Sequence, residues 1–386
     1  MSRFNTVLLF SGLAFATLTA CGEGSTEAPA RKDGNNTGTA PGAGFVTVRP
    51  VVATEPVVTA DDAADDPAIW VHPEDVSRST LIGTNKKGGL YVYDLDGAVI
   101  QYLEDGRMNN VDLRYNFSLA GEQVDLVTAS NRSTAGISIY RVEPSTGKLV
   151  DVADGIQSTG MPDTYGSCMY QQPETRATYV FVNDKSGLYR QWQLRDSGNG
   201  RVRAEPVRDF SVPSQPEGCA ADDEYGVIYV GEENDALWQF SAAPGGGSEG
   251  KVIARIAGNP AVKDDFEGVA LYYGENGEGY VLVSSQGNDS YAVYERGGEH
   301  QYLGSFVIGT NEALGIDGTS ETDGIDVIST PLGDNFPYGL FVAQDGHNLM
   351  PAENQNYKAV PWEVIADELE LEKHKGWDPR SAVLRH

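Results

Sequence analysis

The 386-residue sequence is poor in the side chains on which most covalent and soft-metal chemistry depends, with three cysteines and five histidines. His72, His300, His347, His374 and His386 are scattered, none lies in an Arg-His-Gly arrangement, and neither Cys168 nor Cys219 begins a Cys-x5-Arg loop. Phosphohistidine and cysteinyl-phosphate routes therefore lack their nucleophile. The one Gly-x-Ser-x-Gly match, Gly246 to Gly250, lies in a glycine run and not in a strand-to-helix elbow, and a Gly-x4-Gly-Lys-Ser/Thr loop is missing, which removes serine-hydrolase and nucleotide-binding signatures. Basic residues number 28 against 56 acidic ones, a formal charge of −28. Such a chain repels a phosphate backbone, so nucleic acid is not an expected partner.

The apolar stretch Val7 to Ala20 follows Arg3 and ends in Leu18-Thr19-Ala20-Cys21. It reads as a signal peptide over 1–20, too short for a permanent span. The tetrad resembles a bacterial lipobox, which would make Cys21 the lipidated first residue of an exported protein, anchored at the outer membrane; the alternative is an ordinary secretory signal. Residues 21–44 lack apolar periodicity and read as a flexible tether, and 45–386 as one domain, expected to be monomeric. With Cys21 lipidated, Cys168 and Cys219 remain. They read as buried free thiols, although an export compartment permits a disulfide.

What is abundant is β-pattern punctuated by 45 glycines. Six segments begin DDPAIWVH at Asp65, NVDLRYNF at Asn110, TYGSCMYQ at Thr164, PEGCAADD at Pro216, FEGVALYY at Phe266 and TDGIDVIS at Thr322. Each precedes a second strand-like run, such as LIGTNKKGGLYVY from Leu81 or YVFVNDKSGLYRQW from Tyr179. Alternating units recurring roughly every 50 residues are the signature of propeller blades, and six of them predict an all-β, six-bladed β-propeller. Val-rich Phe45 to Val58 is expected to supply the strand that closes the ring onto the last blade. PWEVIADELELEKHKGW, from Pro361, reads as a short surface helix.

In a four-stranded meander the start of the first strand and the loop after the second lie on one face. The repeat therefore predicts a ring of Asp66, Asp112, Tyr165, Glu217, Glu267 and Asp323, with Lys86, Arg132, Lys185 and Glu233 just outside it. Any one of these acids is adequately explained as a turn residue, and any one cation as a solvated loop residue; six in register argue for a site. Clustered carboxylates raise one another's pKa unless cations neutralise them. Oxygen donors without clustered His or Cys favour calcium. Calcium-activated water flanked by Lys and Arg suits phosphate ester hydrolysis.

The stretches DDAADDPAIW from Asp61, TNKKGGLYVY from Thr84, NNVDLRY from Asn109, ASNRS from Ala129, EGCAADDEYG from Glu217, DFEGVALYY from Asp265, SSQGNDSYAVYER from Ser284, DGTSETDGIDV from Asp317 and FPYGLFVAQDG from Phe336 carry a resemblance. Over roughly residues 50 to 375 the chain resembles the β-propeller phytases, calcium-dependent alkaline 3-phytases. The resemblance implies hydrolysis of phytate held as a calcium complex, with several calcium ions on the top face. By motif, Tyr165, Glu217, Asp265, Glu267, Asp317 and Asp323 correspond to ligands of the catalytic calcium ions, with Glu233 and Asp65 as further candidates. Lys86, Arg132 and Lys185 correspond to phosphate-binding cations at cleavage and affinity subsites. Asp66, Pro67 and Val111 resemble a structural calcium site, and Asp345 and Asn348 another. Two departures stand out: Ser186 and His347 where members of the family carry Glu. A calcium-dependent lactonase and a non-catalytic binding lipoprotein are the alternatives. A carbonyl substrate, however, gives no reason for three cations.

Overall fold

A computed structural model of the chain describes residues 44–385; the leader, Cys21, His386 and all of the tether but Gly44 lie outside the described residues. Six antiparallel sheets succeed one another along the chain, each a meander, so the chain is a six-bladed β-propeller. Their innermost strands are Ala64–Trp70, Met108–Leu119, Ser167–Gln171, Pro216–Asp222, Phe266–Tyr273 and Ile325–Ile328, for blades 1 to 6. Apolar and aromatic residues from adjacent sheets pack between the blades, with Trp70, Tyr91, Tyr229, Tyr291 and Tyr357 fully buried. This is how short strands obtain two-sided burial without a long hydrophobic run.

Closure uses two N-terminal strands. Val52–Ala53 pairs antiparallel with Asn356–Pro361 and becomes the fourth strand of blade 6, as expected. Phe45–Val48 instead adds a fifth, parallel strand to blade 5 against Ser305–Ile308. Asp and polar backbone partners stitch the inner strands together. Asp66 Oδ2 accepts from Val111 N–H at 2.9 Å, Asp112 Oδ2 from Met169 N–H at 2.7 Å, and Asp326 Oδ2 from Ile69 N–H at 2.8 Å. Each stitch satisfies a channel-facing donor that has no neighbour strand.

The third seam is covalent. Cys168 and Cys219 form a disulfide between the inner strands of blades 3 and 4, with Cα atoms 5.7 Å apart. This corrects the free-thiol expectation. Adjacent inner strands converge on the propeller axis, so residues 51 positions apart in sequence come within bridging distance.

The C-terminal helix is short, Trp362–Leu369, and ends at Glu370 with φ of 56°. It packs through Trp362, Ile365 and Ala366. Beyond it the chain runs across the base: Trp377 stacks on Tyr273 with centroids 4.2 Å apart, and Arg380 reaches Asp125 at 2.7 Å. Trp377, Pro379 and Ala382 line the lower end of the channel. Nearby, fully buried Arg296 is held by Asp222 at 2.6 Å and Glu224 at 2.9 Å and lies 4.0 Å over the Tyr273 ring.

Candidate active site at the mouth of the central channel

The site is built on a backbone irregularity repeated in the inner strands. In blades 1, 2, 4 and 5 the pairing to the second strand skips two residues: Asp65–Asp66, Asn109–Asn110, Glu217–Gly218 and Glu267–Gly268. Tyr165–Gly166 and Asp323–Gly324 occupy the same place, one step before Ser167 and Ile325 enter their ladders. Such a bulge re-aims the first side chain of the pair. Four of the six second positions are glycine because the next blade packs there: a Cβ on Gly166 would lie 2.0 Å from Glu217 O, and one on Gly218 1.9 Å from Glu267 O.

The structural ring is therefore Asp65, Asn109, Tyr165, Glu217, Glu267 and Asp323. Two expected members are displaced. Asp66 is the second residue of its bulge and points down the channel, bonded to Val111. Asp112 lies three residues deeper than the ring position, tied to Met169 and to Arg114. A sequence repeat aligned on acids cannot see the bulge, and Asn109, which takes the position in blade 2, is not an acid.

Contacts around the ring are tight. The Asn109 amide donates to Glu217 Oε1 at 2.6 Å, and its oxygen accepts from Arg132 Nη1 at 3.0 Å. Tyr165 donates its phenolic hydrogen to Glu217 Oε2. Lys86 Nζ sits 2.6 Å from Asp323, 2.7 Å from Asp62 and 3.1 Å from Asp65. Lys185 Nζ lies 4.3 Å from the Tyr165 ring centroid, and the Arg132 guanidinium carbon 5.6 Å from it. Lys86, Arg132, Lys185 and Glu233 all stand three residues past the partner of the same inner-strand position, Gly83, Ala129, Val182 and Val230. The second set of expected positions is thus in register. Lys86, Arg132, Lys185, Tyr165 and Glu217 line one opening, together with Asp62, Asp65, Lys87, Arg107 and Asn109. Sequence reasoning missed Asp62, Lys87, Arg107 and Asn109 as lining residues. Lys87 was legible as the neighbour of Lys86.

Glu217, Glu233 and Glu267 bring one carboxylate oxygen each within 4.8 Å of one another, all three buried. Burial, then Glu217, push the Glu267 carboxyl well above its ordinary range. Burial raises Glu233 to about 7 and Asp323 to about 7 against the opposing pull of Lys86. Asp65 is raised by burial despite Lys86. Burial alone would lower the Lys86 ammonium, but Asp65 and Asp323 outweigh it and hold the proton on. Tyr165 is pushed up by burial and then by Glu217, so the phenol remains a donor. Asp265 is raised by burial and by Asp264. Glu267 Oε2 is buried with no hydrogen-bond partner among the described residues. Mutually repelling oxygens with an unanswered acceptor are what a hard cation satisfies.

The remaining candidates lie elsewhere. Asp66, Pro67 and Val111 line the channel below the ring. Asp317 is not with the three glutamates: it joins Asp345 and Asn348 around the fully buried Lys358, whose Nζ is 2.9 Å from Asp317, 3.2 Å from Asp345, 3.1 Å from Asn348 Oδ1 and 2.8 Å from Asn356 Oδ1. One cation of that pocket is thus supplied by the chain. Two carboxylates still face one ammonium, and Asp317 Oδ1 and Asp345 Oδ2 have no hydrogen bond of proper geometry. Of the two departures, the Ser186 hydroxyl donates to Asp184 Oδ1 at 2.5 Å and braces the loop that presents Lys185. His347 contacts the Ser320 hydroxyl at 3.1 Å, at the surface.

Known proteins resemble the chain over most of its length. A 3-phytase of Bacillus subtilis strain 168 is 49% identical over 335 residues, covering 85% of this chain and 87% of that protein. The sequence profile of the phytase family matches residues 37–385, the whole propeller with its ring and its cations, and the chain belongs to the phytase family.

Proposed function

We propose that this chain hydrolyses phosphate monoesters of phytate, as a 3-phytase, with calcium as its metal. The observation that carries the reading is one opening in a chain of charge −28 that gathers Lys86, Lys87, Arg107, Arg132 and Lys185 beside Glu217 and Tyr165. Cations concentrated at that point, and outnumbered elsewhere, fit a polyanionic substrate with adjacent phosphates.

Glu217, Glu233, Glu267, Asp265 and Asp323, with the Tyr165 oxygen and Asp65, would hold the calcium ions. Bound there, calcium would supply charge neutralisation and an acidified water for attack on phosphorus. The protein's own groups do the rest. Lys86, Arg132 and Lys185 bind and orient the phosphates and offset charge that grows in the transition state. Asn109 and Tyr165 hold the two Glu217 oxygens in fixed directions. The stacked Lys185 and Arg132 restrict the Tyr165 ring. Asp66, Pro67 and Val111 are proposed as a structural calcium site in the channel. Asp345 and Asn348 are proposed as another, with Asp317 and Lys358 sharing its charge.

Phosphate release from sodium phytate, with calcium and then with excess chelator, tests the reading. Release that requires calcium supports it. Calcium uptake without release would leave a binding protein, and hydrolysis of a lactone instead would move the substrate class.

We further propose export with a leader over 1–20, a lipid on Cys21 and a tether over 21–44, the protein acting as a monomer at the outer membrane. No helix among the described residues is long and apolar enough to cross a membrane. Loss of labelled-palmitate incorporation in Cys21→Ser is the expected result, and retained labelling would remove the lipid assignment.

A further inference from the structure

The disulfide occupies a telling position in the repeat. Counting from the ring residue, Asp112 in blade 2 and Asp326 in blade 6 hold the fourth place, and both accept a hydrogen bond from the inner strand of the following blade. Cys168 holds that same fourth place in blade 3, and its link to the following blade is the bond to Cys219. At this seam a covalent bridge stands where the seams after blades 2 and 6 use a carboxylate.

It is also the seam across which the site is assembled. Cys168 is three residues from Tyr165 and Cys219 two from Glu217 on the same inner strands, and Tyr165 bonds Glu217 over that boundary. Gly166 rests against Glu217 O, which also accepts from Asn183 Nδ2 at 2.9 Å. Glu217 is the member of the three-glutamate group that contacts blades 2 and 3, through Asn109 and Tyr165. Glu217 and Glu233 belong to blade 4 and Glu267 to blade 5; without a cation they repel one another, and Glu217 is held from the blade 3 side, by Tyr165, across the boundary that the disulfide ties.

We propose that the Cys168–Cys219 disulfide is a positioning element of the site: it holds Glu217 at its place in the oxygen cluster against carboxylate repulsion, so that calcium meets a preformed set of ligands. The proposal rests on the calcium reading above. Groups that orient metal ligands typically account for about 10- to 100-fold in metal affinity, and preorganisation acts by sparing the ion the cost of gathering its ligands.

Calcium titrated calorimetrically into the chelator-stripped chain is the test, on the wild type, on Cys168→Ala/Cys219→Ala, and on wild type reduced after folding with a phosphine. Measurements are made well below every melting point. The expected result is calcium binding weakened about tenfold in both opened forms. Phytate turnover should then need correspondingly more calcium while kcat at saturation stays near wild type. A lower melting temperature with an unchanged calcium isotherm would overturn the proposal and leave the bridge a stabilising link only. If the double variant does not fold, the reduced wild type reads the same affinity. A wild type that takes up no calcium overturns the calcium reading itself, and this inference with it.

Discussion

Lys86 Nζ lies 2.6 Å from Asp323 Oδ2, joining the loop after the second strand of the first blade to the ring acid of the last. The closure point of the propeller thus falls inside the site. The contact ties a cation proposed to grip phosphate to an acid proposed to hold calcium, and metal binding at Asp323 would release the ammonium for substrate.

Lys86→Met should therefore lose transition-state stabilisation more than folding stability. Removing one preorganised charge partner costs about 10²–10³ in kcat, and steady-state phosphate release at saturating calcium reads it. Activity within threefold of wild type would assign Lys86 to closing the ring.

Glu217→Gln is expected to abolish hydrolysis while preserving the fold, because the amide keeps the shape of a side chain bound by Asn109 and Tyr165 and removes the charge. Circular dichroism and phosphate release on the same sample check both halves. Near-normal turnover would take Glu217 out of the metal cluster.

The chelated protein should lose stability as pH rises. Glu233, Asp323 and Asp326 are raised by burial to about 7, and Asp223 to about 6, above carboxylates in an unfolded chain at about 4. Between those values the folded state binds more protons than the unfolded state, so unfolding free energy falls as pH increases through that interval. Melting temperatures in chelator from pH 5 to pH 8 should decline, and added calcium should restore most where the decline is largest. A chelated protein that grows more stable over that interval would contradict these shifts.

Gly218→Ala tests the bulge. Its Cβ would fall 1.9 Å from Glu267 O, a backbone atom that cannot swing aside, so blades 4 and 5 must part. Overpacking of this kind costs about 1–3 kcal/mol. Urea unfolding should show the loss, and calcium affinity should fall with it because Glu217 and Glu267 flank the seam.

How far the site was legible differs residue by residue. Lys86, Arg132, Lys185 and Glu233 were found at the right register because each follows a recognisable second strand. Tyr165, Glu217, Glu267 and Asp323 were found because an apolar run begins just after them. Asp66 and Asp112 were placed in the ring in error, since a two-residue bulge shifts which neighbour faces the axis and leaves no mark in composition. Asn109 escaped for the same reason. Asp317 was assigned to the catalytic group by motif and lies instead against Lys358, a partner 41 positions away whose approach only the pairing of blade 6 produces.

The sequence by itself determined the blade count, the all-β class and the polarity of the site. Strand alternation, turn residues and the spacing of the repeat are local properties, written in neighbouring residues. The tertiary structure alone decided which acid of each pair faces the axis, that Cys168 reaches Cys219, that a second N-terminal strand caps blade 5, and that the tail beyond Leu369 covers the base. Those outcomes depend on contacts between distant blades, where the ring closure sets distances of a few ångströms that no local pattern encodes.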